Sequence, residues 1–145
     1  TGGTSGIGRE TALQYISDGW TVGITGRRRE LLEKFLLLAP GRVHVKQMDV
    51  CNPDAADRLR ELINEMGGMD VYLHCAGIGF QNPVLDNTTE LSTVQTNAEG
   101  FTRLVTAAFD YFRRVGKGGH IAVISSIAGT CNGWASVSPT SVRDS

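Results

Sequence analysis

The chain has 145 residues, 41% of them hydrophobic and 20% charged, which is room for one domain rather than two. With 14 basic against 15 acidic side chains the net charge is −1, so no strong field draws it to nucleic acid or to an anionic membrane surface. Its three cysteines, Cys51, Cys75 and Cys131, form no Cys-x-x-Cys pair and suit neither a disulfide framework nor a zinc site.

Glycine is the compositional anomaly, at 18 of 145 residues. Several of these glycines open the chain, Thr1-Gly2-Gly3-Thr4-Ser5-Gly6-Ile7-Gly8, which runs straight into a helical pattern from Ile7 to Ser17. Trp20, Val22 and Ile24 then read as a strand ending at Thr25-Gly26, and Leu31 to Leu38 as a helix stopped by Pro40. A second strand is expected over Val43, Val45, Met48 and Val50. After Asn52-Pro53-Asp54 comes a helix over Ala56 to Met66 with Leu59, Leu62 and Ile63 on one face. Val71 to Leu73 form the third strand, and the longest helical pattern runs from about Leu91 to Val115. Ile121 to Ile124 form the fourth strand, behind the breaker Gly118-Gly119.

Strands alternating with helices over short loops imply an α/β fold, a parallel sheet covered by helices on both faces. No apolar run approaches the ~18 residues of a membrane span, and the N-terminus lacks the basic-then-apolar layout of a signal peptide, so a cytoplasmic location is expected.

The opening loop suits a phosphate, which needs bare N–H donors and a helix N-terminus with no Cβ in the way. Gly2 fits the tight turn, Gly6 the approach of a diphosphate, and Gly8 the packing of helix on sheet. Three glycines alone describe an ordinary turn equally well, and the strand that normally precedes such a loop is not in the sequence.

Later residues fall in an order that resembles the short-chain dehydrogenase/reductase family in its single-domain form. The Thr-Gly-x-x-x-Gly-x-Gly loop is matched at Thr1, Gly2, Gly6 and Gly8, and Asp49-Val50 resembles the family's Asp-hydrophobic pair at the adenine. Cys75-Ala76-Gly77 matches the family's Asn-Ala-Gly at two of three positions. Asn97, with Gly100 behind it, sits where the family has its active-site Asn, and Ser126, next to Ser125, where it has its catalytic Ser. The resemblance spans Thr1 to Gly129, and Thr130 to Ser145 is atypical.

The resemblance implies a partial NAD(P)-binding domain over residues 1–145. Its fold is a doubly wound parallel sheet (Rossmann fold) lacking the first strand and the C-terminal part. It implies reversible hydride transfer between a nicotinamide cofactor and a small-molecule carbonyl or alcohol, with Ser126 and Asn97 in the active site and no metal. The implied cofactor-binding residues are Gly2, Thr4, Ser5, Gly6, Ile7, Gly8, Arg27, Arg28, Asp49, Val50, Cys75, Ala76 and Gly77. An intact parent would be a homodimer or homotetramer, without nucleic-acid or membrane partners. Cys75 replaces an Asn that helps hold the central strands, and a thiol bonds weakly. His74 beside it reads as a packed strand residue.

The strand over Trp20 to Ile24 runs out through Thr25-Gly26-Arg27-Arg28-Arg29, with no acid before Glu30, whereas an NAD site places an acid there, at the end of the fold's second strand, for the ribose 2′-hydroxyl. Arginines opposing a helix dipole welcome an anion, and a 2′-phosphate matches the guanidinium fork, so NADP is favoured over NAD, with Arg27 first and Arg28 second.

The family's chemistry belongs to a Tyr-x-x-x-Lys pair beyond the catalytic Ser, and this chain has none. Four residues after Tyr15, Tyr72 and Tyr111 stand Gly19, Ala76 and Val115, and Thr130 to Ser145 contains neither Tyr nor Lys. An incomplete or frame-disrupted product of a longer parent is therefore expected, inactive by itself, a non-catalytic dinucleotide binder being the alternative.

Overall fold

The computed structural model describes residues 1–126. The expectations attached to Thr130–Ser145 lie outside the described residues.

Among the described residues, five α-helices and four strands follow in the order α1 (Gly6–Ser17), β1 (Val22–Gly26), α2 (Arg29–Leu36), β2 (Val43–Gln47), α3 (Ala55–Glu65), β3 (Val71–His74), α4 (Asn87–Val94), α5 (Phe101–Val115) and β4 (His120–Val123). A π-helical turn, Gln95–Gly100, joins α4 to α5. The single helix expected from Leu91 therefore begins earlier, at Asn87, because the Asp86 carboxylate caps it by accepting from the Thr89 amide at 2.8 Å. α5 ends where Gly116 adopts φ 69°, a left-handed cap that glycine takes without a Cβ clash.

β1 pairs in parallel with β2, Val22 opposite Val43, and β3 with β4, Val71 opposite His120. Among the described residues these are two separate two-stranded sheets. Hydrogen bonds among the described residues link them at their C-terminal ends through Thr1–Gly3. The Thr1 nitrogen donates to the Leu73 carbonyl (2.7 Å) and its carbonyl accepts from the Cys75 amide (3.1 Å). The Gly3 amide donates to the Thr25 carbonyl of β1 (3.0 Å). Below this bridge β1 and β3 flank a cavity of about 150 Å³ that includes Val22 to Thr25 and Val71 to Leu73 in its walls. Thr25 Oγ1 is the one buried side-chain polar atom without a hydrogen-bond partner among the described residues.

Two cores lie on opposite faces of the strands. Ala12 and Ile16 of α1 with Leu32 and Phe35 of α2 pack on Ile24 and Val43. On the other face, Leu59 and Ile63 of α3 and Leu104, Ala108 and Phe112 of α5 enclose Met48, Val50 and Tyr72. The helical spacing of these positions is what buries one stripe of each helix. Arg29–Leu36 stops short of the expected Leu38, and Leu37 is 81% exposed beyond its end.

Leu104 is fully buried at the centre of the second core, so Leu104→Ala leaves a cavity where α3 meets α5. It is expected to lower unfolding free energy by about 2–5 kcal/mol in urea titration, and a change under about 1 kcal/mol would contradict this packing.

Candidate functional site

At the C-terminal ends of the strands, where ligands bind in open parallel sheets, lies a cleft of about 700 Å³, within the size range of small-molecule sites. Thirteen residues were singled out above for a cofactor, and all thirteen line it: Gly2, Thr4, Ser5, Gly6, Ile7, Gly8, Arg27, Arg28, Asp49, Val50, Cys75, Ala76 and Gly77. Thr25, Gly26, Met48, Ile78, Thr96 and Ile124 complete the wall.

The glycine loop owes its shape to close backbone approaches. Gly2 has φ 70°, and a Cβ there would stand 2.7 Å from the Ala76 nitrogen. A Cβ on Gly8 would stand 2.5 Å from the Gly2 carbonyl oxygen and 3.1 Å from Cys75 Cβ, so only glycine lets α1 start this close to the sheet. At Gly6 nothing lies within 4 Å of the Cβ position, so the loop faces open space in the cleft. The Ser5 side chain does not cap α1, which leaves the first amides of the helix, with their partial positive charge, toward the cleft.

Arg28 lies back across the loop, its guanidinium donating to Thr4 Oγ1 at 3.2 Å and to the Thr4 carbonyl at 3.4 Å. The Arg27 carbonyl accepts from Gln47 Nε2 at 2.9 Å, which ties the end of β1 to β2. The Asp49 carboxylate accepts from the Cys51 amide at 3.0 Å, a local turn that ends β2 at Gln47 rather than at the expected Val50.

Asn97 projects from the π-helical turn and grips the backbone of Ile78. Its Oδ1 accepts from the Ile78 amide (2.9 Å) while its Nδ2 donates to the Ile78 carbonyl (2.6 Å). Such reciprocal bonding makes the Asn a clamp on the loop after β3. Ser126 is exposed and follows β4 by way of Ile124, which lines the cleft. Neither Asn97 nor Ser126 itself lines the cleft wall, although the neighbours Thr96 and Ile124 do.

None of the three tyrosines faces the cleft. Tyr15 packs edge-on against Trp20, with ring centroids 5.4 Å apart, and the Tyr111 hydroxyl accepts from the Met69 amide at 3.0 Å. The Tyr72 hydroxyl is buried against His74 Nδ1 at 2.8 Å, and burial raises its pKa above the ordinary phenol range. His74 is 2% exposed, and its Nε2 lies 3.1 Å from the Ala76 carbonyl. A carbonyl only accepts, so the network assigns the ring proton to Nε2 and leaves Nδ1 to accept from Tyr72. Desolvation by burial, reinforced by the Thr1 ammonium and opposed by the Ala76 bond, pushes the His74 pKa down to about 4. Burial likewise pushes the Cys75 thiol up.

The short chain dehydrogenase model matches residues 1–139. The chain belongs to that family. Sulfoacetaldehyde reductase of Chromohalobacter salexigens is 32% identical over 142 residues, covering 89% of this chain and 53% of that protein. A solved short chain dehydrogenase from Bacillus anthracis superposes with a TM-score of 0.84 at 29% identity, over 91% of this chain and 57% of that one. ElxO solved with NADP bound superposes with a TM-score of 0.81 at 26% identity, over 91% of this chain and 56% of that one. This short chain dehydrogenase chain thus spans about half the length of the relatives it matches. Its α/β architecture is the Rossmann-like fold of those structures.

The depressed His74 pKa has a thermodynamic consequence. Between its folded value of about 4 and the ordinary value of ~6.5, the unfolded chain binds the extra proton, so stability falls as pH falls through that window. His74→Asn is expected to remove about 2 kcal/mol of the stability difference between pH 7 and pH 5 in urea unfolding. Identical pH slopes for the two proteins would contradict a buried neutral His74.

Proposed function

We propose that residues 1–145 form one partial dinucleotide-binding domain that takes NADP(H) in preference to NAD(H), from an oxidoreductase interconverting carbonyls and alcohols. The observation that carries this reading is the convergence of the glycine loop, the arginines after β1, Asp49-Val50 and Cys75–Gly77 on a single cleft. A nicotinamide cofactor supplies or accepts the hydride; the chain's residues supply the positions. The open space at Gly6 and the uncapped first turn of α1 fit a diphosphate, as backbone donors without a competing side chain do. Arg27 and Arg28 fit a 2′-phosphate, and Asp49 fits the adenine amino group as hydrogen-bond acceptor. At the other end Ser126 orients a carbonyl, and Asn97 fixes the Ile78 backbone in the cleft wall.

For these 145 residues we propose binding without turnover. Proton donation to the carbonyl oxygen calls for a phenol of lowered pKa, and such a donor commonly contributes ~10²–10⁴-fold. Tyr15, Tyr72 and Tyr111 are engaged elsewhere, and burial shifts Tyr72 the wrong way.

Fluorescence titration with NADPH and NADH tests the cofactor. Arg27→Ala combined with Arg28→Ala is expected to weaken NADPH by about tenfold or more while changing NADH by less than about twofold, as loss of charge-assisted phosphate contacts would. Equal weakening of both would overturn the NADP assignment, and no binding of either would overturn the function.

A further inference from the structure

The π-helical turn and the first turn of α5 hold the segment Asp49-Val50-Cys51 at three points. The Arg103 guanidinium, on α5, donates to the Val50 carbonyl at 2.9 Å and is partly buried there. Gly100 lies so close that a Cβ on it would stand 2.7 Å from Val50 Cγ2 and 3.0 Å from the Val50 carbonyl oxygen. Cys51 Sγ lies 3.3 Å from Thr96 Oγ1. Of the three contacts, only Arg103 brings a formal charge to the backbone of this segment, and a charge-assisted bond to a carbonyl is stronger than a neutral one.

Val50 and Asp49 both form the cleft wall, yet neither is held there by a strand ladder, since β2 ends at Gln47. Beyond the local Asp49–Cys51 turn and the burial of Val50 in the core, their position depends on a helix that comes later in the chain. Arg103 itself is not part of the cleft wall, so its effect on a ligand passes through Val50.

We propose that Arg103 is a positioning residue for the adenosine half of the dinucleotide, setting Asp49-Val50 at the height the adenine requires. The inference rests on the proposed function and adds a residue to it. Removing the guanidinium frees the Val50 carbonyl and lets the Asp49 turn relax out of the wall. The lost binding then resides wholly in the adenosine half.

The test compares the 145-residue chain with Arg103→Met and Arg103→Lys, each titrated with NADPH and with 2′,5′-ADP, alongside thermal melts. Arg103→Met is expected to weaken NADPH and 2′,5′-ADP by the same factor, about five- to twentyfold, and Arg103→Lys to recover part of that loss. A variant that weakens NADPH but leaves 2′,5′-ADP unchanged would overturn the proposal, because the damage would then lie at the Asn97 end of the helix. Unchanged affinity for both would also overturn it. Failure of the unaltered chain to bind either ligand would overturn the proposed function and this inference with it, whereas binding by the unaltered chain with no effect of Arg103 would overturn the inference alone. Should Arg103→Met melt too low to titrate, the Arg103→Lys variant carries the same comparison between the two ligands.

Discussion

Three residues of backbone, Thr1 to Gly3, hydrogen-bond to the ends of both strand pairs. Their hydrogen bonds reach Leu73 and Cys75 on one side and Thr25 on the other, and among the described residues they are the only ladder-like link between β1 and β3. The geometry leaves no room for a side chain: Gly2 sits on Ala76, and Gly8 sits on Gly2. Because the segment is fixed at both strand ends, the next residues leave the sheet in one direction only, and α1 begins with its amides facing the cleft. Cys75–Gly77 is fixed by the same contacts, which is how residues some seventy positions apart share one wall. Buried polar groups add rigidity there, as His74 joins Tyr72, Thr1 and Ala76 in one network.

A second constraint comes from the irregular helix. π-helical turns are rare and tend to occur at functional sites. Here the turn offsets α4 from α5, and its side chains reach both ends of the cleft. Asn97 clamps Ile78 after β3, while Thr96 and Gly100 pack on Cys51 and Val50 after β2. The turn therefore couples the Asp49-Val50 side of the cleft to the Ile78 side. A regular helix through Gln95–Gly100 would advance these side chains by a different angle and could not meet both.

Much of this was legible in the sequence. The glycine loop, the arginines after β1, Asp49-Val50 and Cys75-Ala76-Gly77 could be picked out because each is a run of special residue types near a strand end, and all of them line the cleft. The six wall residues not singled out for the cofactor, Thr25, Gly26, Met48, Ile78, Thr96 and Ile124, are placed there by tertiary packing, with Ile78 held through its backbone. The π turn carries no periodic signature either, since Val94 and Leu104 fit a straight helix as well. The early start of α4 did have a signal, Asp86 three residues before Thr89, which apolar periodicity passes over. Separation of the strands into two pairs agrees with the expected doubly wound sheet lacking its first strand, while strand identity itself comes from short apolar runs.

The central claim is that the loop from Ser5 to Gly8 presents its backbone N–H groups to a diphosphate. Amide chemical-shift perturbation in ¹⁵N-labelled protein tests it most directly. On addition of NADPH the largest shifts should fall on Gly6, Ile7 and Gly8, with smaller ones at Arg28, Val50 and Ala76. Binding that leaves those three amides unmoved, or that shifts only residues away from the cleft, would contradict the account.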